Sequence, residues 1–216
     1  NIQAEARTVR YDILATFCKK NNIKVVLTAH NLEDQVETFF IRLSRGSGLK
    51  GLASMKSLSV LKSKVNLYRP LLDVKKIFLT KISKIIFGKY FKDPSNKDLK
   101  YLRTRVRNLR KPLEKSGIEY DQIIKSINNL AKSKDTLEVY LKNIFKETIK
   151  KTKKEVSLNL KKFKEYNQEI KIALITESIK RLKNNYYNQR SKKVENLINN
   201  IEKRDFKKAT LGGCIF

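Results

Sequence analysis

Apolar positions recur with helical spacing in two segments near the start of the chain, on either side of a short apolar run. In the first segment, 4–20, these positions are Ala6, Val9, Ile13 and Phe17. The run Val25–Thr28 predicts a strand that is buried on both faces of a parallel sheet. In the second segment the apolar stripe consists of Leu32, Val36, Phe39, Phe40 and Leu43. Together these patterns predict an α-β-α opening, typical of the α/β class.

Polar residues follow the predicted strand at positions where α/β proteins bind ligands. His30 stands at the carboxyl end of the strand, and Asp34 and Glu37 are one turn apart on a helix that Asn31 can cap. In open α/β sheets, ligands bind outside the carboxyl ends of strands, near helix N-termini whose free N–H groups favour anions. We therefore expect His30, Asp34 and Glu37 to form the chemical site.

An extended segment and a further helix come next. Val65–Leu72 is predicted to be extended and to stop at Pro70. Asp73 is expected to cap a helix that ends at Phe87. The predicted core side of this helix is formed by Ile77, Ile82, Ile85 and Ile86.

An arginine-rich helix is predicted after a turn at Asp93–Asn96. Its arginines are Arg103, Arg105, Arg107 and Arg110. Because guanidinium groups bind phosphates through two parallel hydrogen bonds, this helix is a candidate for contacts with an anionic partner.

The character of the sequence changes around 114–119, where we predict a domain boundary. We expect 1–116 to be the C-terminal part of an α/β domain with a partial parallel sheet, and 117–205 to be an all-α domain rich in lysine. The segment 206–216 is predicted to begin a further strand. The alternating apolar positions of Val156–Leu160 interrupt the helical pattern of the second domain.

The charge balance indicates a polyanionic partner. The chain has 49 Lys and Arg against 21 Asp and Glu, a net charge of +28. Nucleic acid is the first candidate, because basic side chains that contact phosphates release counterions. An alternative explanation is the enrichment in Lys, Asn and Ile that an AT-rich genome imposes.

Cysteine usage and hydropathy exclude several classes of protein. Cys18 and Cys214 form no Cys-x-x-Cys pair, so neither a disulfide framework nor a zinc or iron–sulfur site is indicated. No apolar run is long enough to cross a bilayer, so we expect a cytoplasmic protein with no membrane partner. The sequence begins with Asn1 and its only methionine is Met55, so we expect it to be part of a longer protein.

Several short motifs, in a fixed order over 1–113, resemble the tRNA(Ile)-lysidine synthetases, a family of PP-loop ATP-pyrophosphatases. The motifs are Ala6-Arg7, Arg10-Tyr11, TAHNLEDQVET over 28–38, RLSRGSG over 42–48, RPLL over 69–72, DPSN over 93–96, Tyr101 with Arg103 and Arg105, and Pro112-Leu113. Glu33 departs from the usual Asp of the family, with the charge kept, and Thr104 departs from the usual Asn. The family's S-G-G-x-D-S phosphate loop does not occur in the sequence, so we expect it upstream and expect the 216 residues alone to be inactive.

The resemblance implies a partial PP-loop domain of the HUP or Rossmann-like type, followed by a helical tRNA domain. It also implies that ATP, with Mg²⁺, adenylates the C2 oxygen of the wobble cytidine in tRNA(Ile) with a CAU anticodon. Free L-lysine then displaces AMP, which forms lysidine. The oligomeric state is left open, with a homodimer as one possibility.

The acids and the histidine receive roles from this resemblance. Glu37 is our first candidate for binding the lysine ammonium and removing its proton, with Asp34 beside it. Either acid could instead share a Mg²⁺ ion bound to the phosphates, and Asp34 is the candidate ligand. His30 is a candidate contact for the adenylated intermediate or a phosphate. The alternatives are a solvated acidic helix face and a structural histidine at a strand end.

Basic and aromatic residues are predicted to bind the polyanionic substrates. A phosphate clamp for ATP or tRNA is predicted from Arg42, Arg45, Gly46 and Gly48. The alternative is an ordinary helix C-terminus, stabilised by cations and closed by glycine. The predicted tRNA contacts are Arg69, Arg103, Arg105 and Arg107. Tyr186 and Tyr187 are candidates for stacking on bases or, alternatively, for burial on a helix.

Three functions stay open at this point. The first is lysidine synthesis. The second is another tRNA-modifying PP-loop activity such as thiolation, although enzymes of the thiocytidine type need cysteines that Cys18 and Cys214 cannot supply. The third is a non-catalytic basic RNA-binding fragment of a split or decayed gene. An upstream reading frame with the glycine-rich phosphate loop would distinguish the first from the third.

Overall fold

The computed structural model describes residues 2–61, 64–91, 98–153, 155–183, 191–203 and 205–216. Its helices are α1 (Ile2–Lys20), α2 (Leu32–Leu43), α3 (Leu49–Leu52), α4 (Lys76–Phe87), α5 (Leu102–Asn108), α6 (Arg110–Lys115), α7 (Tyr120–Thr148), α8 (Leu160–Glu165), α9 (Gln168–Leu182) and α10 (Ser191–Ile201). Its strands are β1 (Val25–Leu27), β2 (Leu58–Val60), β3 (Asn66–Tyr68), β4 (Ile149–Lys151), β5 (Val156–Leu158), β6 (Thr210–Leu211) and β7 (Cys214–Ile215). The predicted turn at Asp93–Asn96 and the pair Tyr186 and Tyr187 lie outside the described residues. Every described helix is too short or too polar to span a lipid bilayer.

The chain divides into two compact units, unit 1 (1–134) and unit 2 (135–216). The division lies after the predicted boundary at 116/117. The reason is that the first turns of α7 belong to the core of unit 1, where Tyr120, Ile123 and Ile127 pack with Leu32 and Val36 of α2. The change in composition therefore precedes the structural division.

A three-stranded sheet with the order β1-β3-β2 carries the site in unit 1. Strand β1 pairs with β3 in parallel, and β3 pairs with β2 in antiparallel orientation. The strand predicted at Val25 is present, but its two faces are not buried, because Val25 is 45% and Leu27 is 65% exposed. Among the described residues β1 is an edge strand with a neighbour on one side only, so a parallel strand here keeps exposed side chains.

Helix α2 begins with the cap that its sequence predicts. The Asn31 side chain accepts a hydrogen bond from the Asp34 backbone N–H at 3.1 Å, and the Asp34 carboxylate accepts one from the Asn31 backbone N–H at 3.0 Å. This reciprocal capping box satisfies two N–H groups that would otherwise lack partners at the helix start. It also fixes the first turn, and with it Asp34, directly beyond the end of β1.

Helix α4 differs from its prediction at its start and on its core side. It begins at Lys76 with Lys75 as its N-cap, so Asp73 does not cap it. The Glu33 carboxylate accepts a hydrogen bond from the Lys76 backbone N–H at 2.8 Å instead. The predicted core side is wrong, because the isoleucines are more than half exposed at 58%, 51%, 83% and 64% for Ile77, Ile82, Ile85 and Ile86.

Unit 2 is a helical core with two β-hairpins, so an all-α second domain is not confirmed. The core centres on α9 and α10, whose Leu174, Ile175 and Ile198 have no exposed surface. Strands β4 and β5 form one hairpin and β6 and β7 form the other. Gly212 and Gly213 join β6 to β7 with φ angles of 59° and 72°. Two consecutive positive φ angles are typical of a type I′ hairpin turn, which favours glycine at both positions.

Two leucines of α2 test whether this helix is fixed by burial. Leu32→Ala removes a side chain that is 7% exposed and packed in the core of unit 1, whereas Leu43→Ala removes one that is 47% exposed. We expect Leu32→Ala to lower the free energy of unfolding by about 2–5 kcal/mol, because it leaves a cavity. Leu43→Ala should cost about 1 kcal/mol or less. Urea denaturation followed by circular dichroism measures both, and equal losses would contradict the described packing of α2.

Candidate functional site

A buried carboxylate lies between two arginines at the centre of the site. The Glu37 side chain is 2% exposed, and its Oε1 atom accepts a hydrogen bond from Arg107 Nε at 2.7 Å. Its Oε2 atom accepts hydrogen bonds from Arg103 Nε at 2.9 Å and from Arg107 Nη2 at 3.1 Å. The hydrogen bond to Glu37 is the main cause of a raised pKa at Arg107. Two guanidinium groups thus compensate the charge that burial would make costly.

A cavity of about 550 Å³ opens beside β1, and we call it the His30 cavity. It is lined by His30, Tyr101 and four arginines, namely Arg7, Arg10, Arg103 and Arg107. None of the residues that line it is acidic. Two of its arginines come from α1 and two from α5, so the cavity has the charge and the donors to bind an anion.

His30 is held within this cavity as a neutral ring at neutral pH. Its Nδ1 atom lies 2.9 Å from Thr28 Oγ1, which orients the ring and leaves Nε2 for a ligand. The pKa of His30 is lowered below its ordinary value of 6.5, first by burial, and then by the positive charges of Arg69, Arg7 and Arg103. The negative charge of Asp34 opposes this shift only in part.

A second cavity of about 500 Å³ lies beside the start of α2, and we call it the Asp34 cavity. Its walls include Asp34, Glu37, Arg107, Arg110 and several lysines of α4. The Asp34 side chain is 21% exposed, and its Oδ1 atom lies 3.8 Å from Arg103 Nη2. Its Oδ2 atom accepts the capping hydrogen bond from Asn31, so Oδ1 is the oxygen that is left for a ligand.

The structure therefore divides the three predicted residues between two cavities. His30 lies in one, whereas Asp34 and Glu37 line the other. Arg107 lines both, which makes it part of the wall between them. The catalytic roles of these residues stay predictions. Their geometry shows that Glu37 already has guanidinium partners on both oxygens, whereas Asp34 has one oxygen without a short hydrogen bond.

The predicted phosphate clamp at the end of α2 has a different geometry. Arg42 Nη1 donates hydrogen bonds to the carbonyl oxygens of Gly51 at 2.6 Å and Ser54 at 2.9 Å. Arg42 therefore ties down the chain that follows α2. Arg45 is exposed, Gly46 has a left-handed φ angle of 66°, and Gly48 precedes α3 as its N-cap. A phosphate contact of Arg45, Gly46 and Gly48 stays a prediction.

The predicted tRNA contacts are mostly engaged inside unit 1. Arg69 is 8% exposed, and its Nη1 atom donates to the Lys56 carbonyl oxygen at 2.8 Å and to Ser59 Oγ at 3.0 Å. Arg103 and Arg107 bind Glu37. Arg105 is exposed and donates to the Leu99 carbonyl oxygen at 3.0 Å. Arg69 is thus buried and Arg105 is exposed, and the tRNA contacts of all four arginines stay predictions.

Sequence analysis did not assign a role to two arginines that the structure places in the His30 cavity. Arg7 and Arg10 are three positions apart on α1, so they lie on the same side of the helix. The signal for them was available, since both belong to the motifs that carry the family resemblance. They line the same cavity as His30 because α1 packs beside β1.

The donor set for a metal ion is small. No group of three or more His, Cys, Asp or Glu side chains that could hold a metal occurs among the described residues. Two carboxylate oxygens of the Asp34 cavity have no short hydrogen bond: Glu33 Oε1, which lies 3.4 Å from Arg110 Nη1, and Asp34 Oδ1, which lies 3.8 Å from Arg103 Nη2. Asp34 Oδ1 is the less engaged of the two. One carboxylate fits a Mg²⁺ ion whose other ligands are phosphate oxygens and water, as is usual for this ion.

Residues 1–113 match the family model of the PP-loop domain. The chain is similar to the tRNA(Ile)-lysidine synthase of Wolbachia pipientis wMel, with 35% identity over 216 residues, which are 99% of this chain and 50% of the relative. It is also similar to the tRNA(Ile)-lysidine synthase of Orientia tsutsugamushi (strain Boryong), with 44% identity over 113 residues, which are 52% of this chain and 25% of the relative. These similarities confirm the predicted resemblance. The chain spans about half the length of the Wolbachia relatives that it matches.

A solved structure, that of the U34-tRNA thiolase NcsA from Methanococcus maripaludis, is a more distant match. The match covers 61% of this chain and 44% of the thiolase chain, with 21% sequence identity and a TM-score of 0.48. That likeness is too weak to support an argument about this chain.

Replacing Glu37 tests how much this buried carboxylate contributes to the stability of the fold. Glu37→Gln leaves Arg103 and Arg107 without their anion, so we expect the free energy of unfolding to fall by about 1–3 kcal/mol. The matched control is Glu114→Gln, because Glu114 pairs with Arg110 at 2.8 Å but is 42% exposed. That control should cost less than about 1 kcal/mol. Denaturant unfolding measures both variants, and a neutral Glu37→Gln would contradict the central place of this carboxylate.

The ring of His30 can be titrated without ambiguity, because it is the chain's one histidine. We expect its NMR signals to titrate with a midpoint below 6.5 in the folded protein, since burial and neighbouring arginines disfavour the charged ring. The unfolded chain protonates first as the pH falls below 6.5, so His30 makes folding less favourable on acidification. The urea-unfolded protein is the control, with an ordinary midpoint. A folded-state midpoint at or above the unfolded one would contradict this environment.

Proposed function

Because the chain belongs to the PP-loop domain family, which its residues 1–113 match, we propose that it is part of a tRNA(Ile)-lysidine synthase. The proposed reaction is the ATP-dependent ligation of L-lysine to C2 of the wobble cytidine in tRNA(Ile) with a CAU anticodon. The observation that supports it most directly is the similarity to lysidine synthases along nearly the whole chain. The substrates ATP, tRNA(Ile) and L-lysine belong to this proposal.

The reaction has two steps that need different environments. In the first, the C2 oxygen of cytidine attacks the α-phosphorus of ATP, and pyrophosphate leaves. In the second, the ε-amine of lysine attacks C2, the C2–O bond breaks, and AMP leaves with its electron pair. The first step needs cations around phosphates, and the second needs a group that binds an ammonium and accepts its proton.

The His30 cavity has the properties that the first step requires. Arg7, Arg10, Arg103 and Arg107 place positive charge around a space with no acidic lining residue. A neutral His30 can donate or accept a hydrogen bond through Nε2 without adding charge. We assign this cavity to the phosphate of the adenylated intermediate, with His30 as a contact of that intermediate.

The Asp34 cavity has the carboxylate that the second step requires. The ε-amine of free lysine has a pKa of about 10.4, so it arrives as an ammonium and must lose a proton before it attacks. Asp34 Oδ1 is available for this purpose, while both oxygens of Glu37 accept hydrogen bonds from guanidinium groups. We therefore assign the ammonium to Asp34. Glu37 positions Arg103 and Arg107, and this differs from the sequence-based hypothesis that Glu37 takes the proton.

Magnesium bound to the ATP phosphates would neutralise part of their charge, and Asp34 is the residue of this site that could hold it. That use and the binding of an ammonium compete for the same oxygen, Oδ1. The other acids of this cavity already have partners, since Glu33 binds the Lys76 backbone N–H and Arg110, and Glu37 binds two arginines. Asp34 therefore serves one of these purposes at a time.

Thiolation, the alternative activity, finds no support in the cysteines. Cys18 is 4% exposed and Cys214 is 6% exposed, and neither belongs to a cluster of metal-binding side chains in the described residues. A sulfur carrier must expose its thiol to react. The non-catalytic alternative is decided by the assay that follows.

The complete protein is expected to transfer labelled lysine to a tRNA(Ile) transcript when ATP is present. Asp34→Asn should reduce the rate by about a hundredfold or more, because an amide neither balances the ammonium nor accepts its proton. It keeps an oxygen for the helix cap, which limits damage to α2. Asp73→Asn is the matched control, since Asp73 is exposed and lines neither cavity.

Two outcomes would contradict these assignments separately. No ATP-dependent transfer by the complete wild-type protein would overturn the proposed function and favour the non-catalytic alternative. Full transfer by the Asp34→Asn variant would leave the function in place but remove the assigned role of Asp34.

A further inference from the structure

Helix α4 presents a row of lysines to the Asp34 cavity. Lys76 and Lys84 line the cavity together with Thr80, at a spacing of four residues that places all three on one side of the helix. Lys81 also lines the cavity. We call Lys76, Lys81 and Lys84 the α4 lysine face. Nothing in the proposed reaction so far uses these residues.

The acids of the same cavity do not neutralise this face. Glu37 is held by two arginines, and the Asp34 carboxylate caps α2. Glu33 accepts hydrogen bonds from the Lys76 backbone N–H at 2.8 Å and from Arg110 Nη1 at 3.4 Å. The neighbouring Lys75 already pairs with Asp121 outside this face, at 2.7 Å. Each acid thus has a partner other than the lysine ammonium groups, and its ion pairs are with arginines.

The three ammonium groups are accessible and have no carboxylate partner in the described part of the chain. All three lysines are exposed. The nearest aromatic contact is that of Lys84, whose Nζ atom lies 5.9 Å from the ring centroid of Tyr90, a distance that leaves its donors open. Arg107 and Arg110 also line the cavity, but both are paired with carboxylates, Arg107 with Glu37 and Arg110 with Glu33 and Glu114. The exposed α4 lysine face is therefore a cationic surface on the same cavity as Asp34.

The length of the face indicates the kind of anion that it fits. Lys84 lies eight positions after Lys76 on the helix, which at a rise of about 1.5 Å per residue is about 12 Å. One isolated phosphate is much smaller than the distance between these backbone positions, so it does not match the three lysines as a set. A sugar-phosphate backbone, which carries one charge on each nucleotide, can contact all of them.

We propose that the α4 lysine face binds the phosphate backbone of the single-stranded RNA whose base enters the Asp34 cavity. This inference rests on the proposed function, in which a tRNA anticodon loop delivers the cytidine. The face contributes affinity without sequence specificity, since lysines contact phosphates as point charges and do not read bases.

The test measures how the affinity of the complete protein for an anticodon stem-loop RNA with a CAU loop depends on salt. We expect the triple variant Lys76→Ala, Lys81→Ala, Lys84→Ala to have a shallower slope of log affinity against log salt, by about 0.7–0.9 for each lysine removed. Between about 50 and about 200 mM salt, the wild type should then lose about 20- to 40-fold more affinity than the triple variant. Fluorescence anisotropy with labelled RNA gives these values.

Two sets of controls separate this site from general electrostatics. Lys19→Ala with Lys20→Ala removes two exposed lysines from the last turn of α1 that line neither cavity, and its slope should match the wild type. Changing the three α4 lysines to arginine keeps the charge and should keep the slope. Agreement of both controls with the wild type, with loss only in the alanine triple variant, would support the proposal.

Three results would overturn it. An unchanged salt slope in the alanine triple variant would show that the face does not contact RNA. An equal loss in the Lys19 and Lys20 variant would show that only total charge matters. A loss of ATP affinity without RNA in the triple variant would assign the face to the nucleotide. Because wild-type lysine transfer is measured separately, failure of the proposed function would not be mistaken for failure of this site.

Discussion

The buried carboxylate of Glu37 is the constraint on which the site depends. A charge with 2% exposure is tolerated only if cations and donors reach it, and Arg103 and Arg107 do so at 2.9 Å and 2.7 Å. This requirement joins α2 to α5 across the site. It also places the Arg107 guanidinium between the two cavities, so the positions of the arginine-lined His30 cavity and of the Asp34 cavity follow from one ion-pair network. The surrounding packing of Leu32 and Val36 keeps α2 in the place where this network can form.

Local patterns in the sequence predicted those features that local interactions determine. The two residues of the capping box, Asn31 and Asp34, are three positions apart, and the strand at Val25 follows from a β-branched run. The partners of Glu37 lie 66 and 70 residues away, so no periodicity could show that its oxygens are occupied. The prediction of a core side for α4 was wrong for a related reason. An apolar stripe indicates which side of a helix is apolar, but not whether another element lies against it.

The use of arginine and lysine in unit 1 differs, and the difference has a physical basis. Arg42, Arg69, Arg103 and Arg107 satisfy internal carbonyl, hydroxyl and carboxylate oxygens. The planar guanidinium has five N–H donors in a fixed arrangement, so one arginine can bind several oxygens at once. The lysine ammonium is strongly hydrated and stays at the surface. The net charge of +28 is thus an unreliable guide to which cations face a polyanion. Several arginines that the sequence favoured as surface contacts are structural in part or in whole.

The capping box has a consequence for the energetics of any ligand at Asp34. A backbone N–H already holds one carboxylate oxygen of this side chain, so its rotamer is selected before a ligand arrives. Ordering a free side chain at a binding site costs about 0.5–1.5 kcal/mol. Because the capping box orders the Asp34 side chain when the helix folds, a ligand does not have to order it on binding. The second oxygen is therefore a preorganised acceptor whose direction is set by the axis of α2.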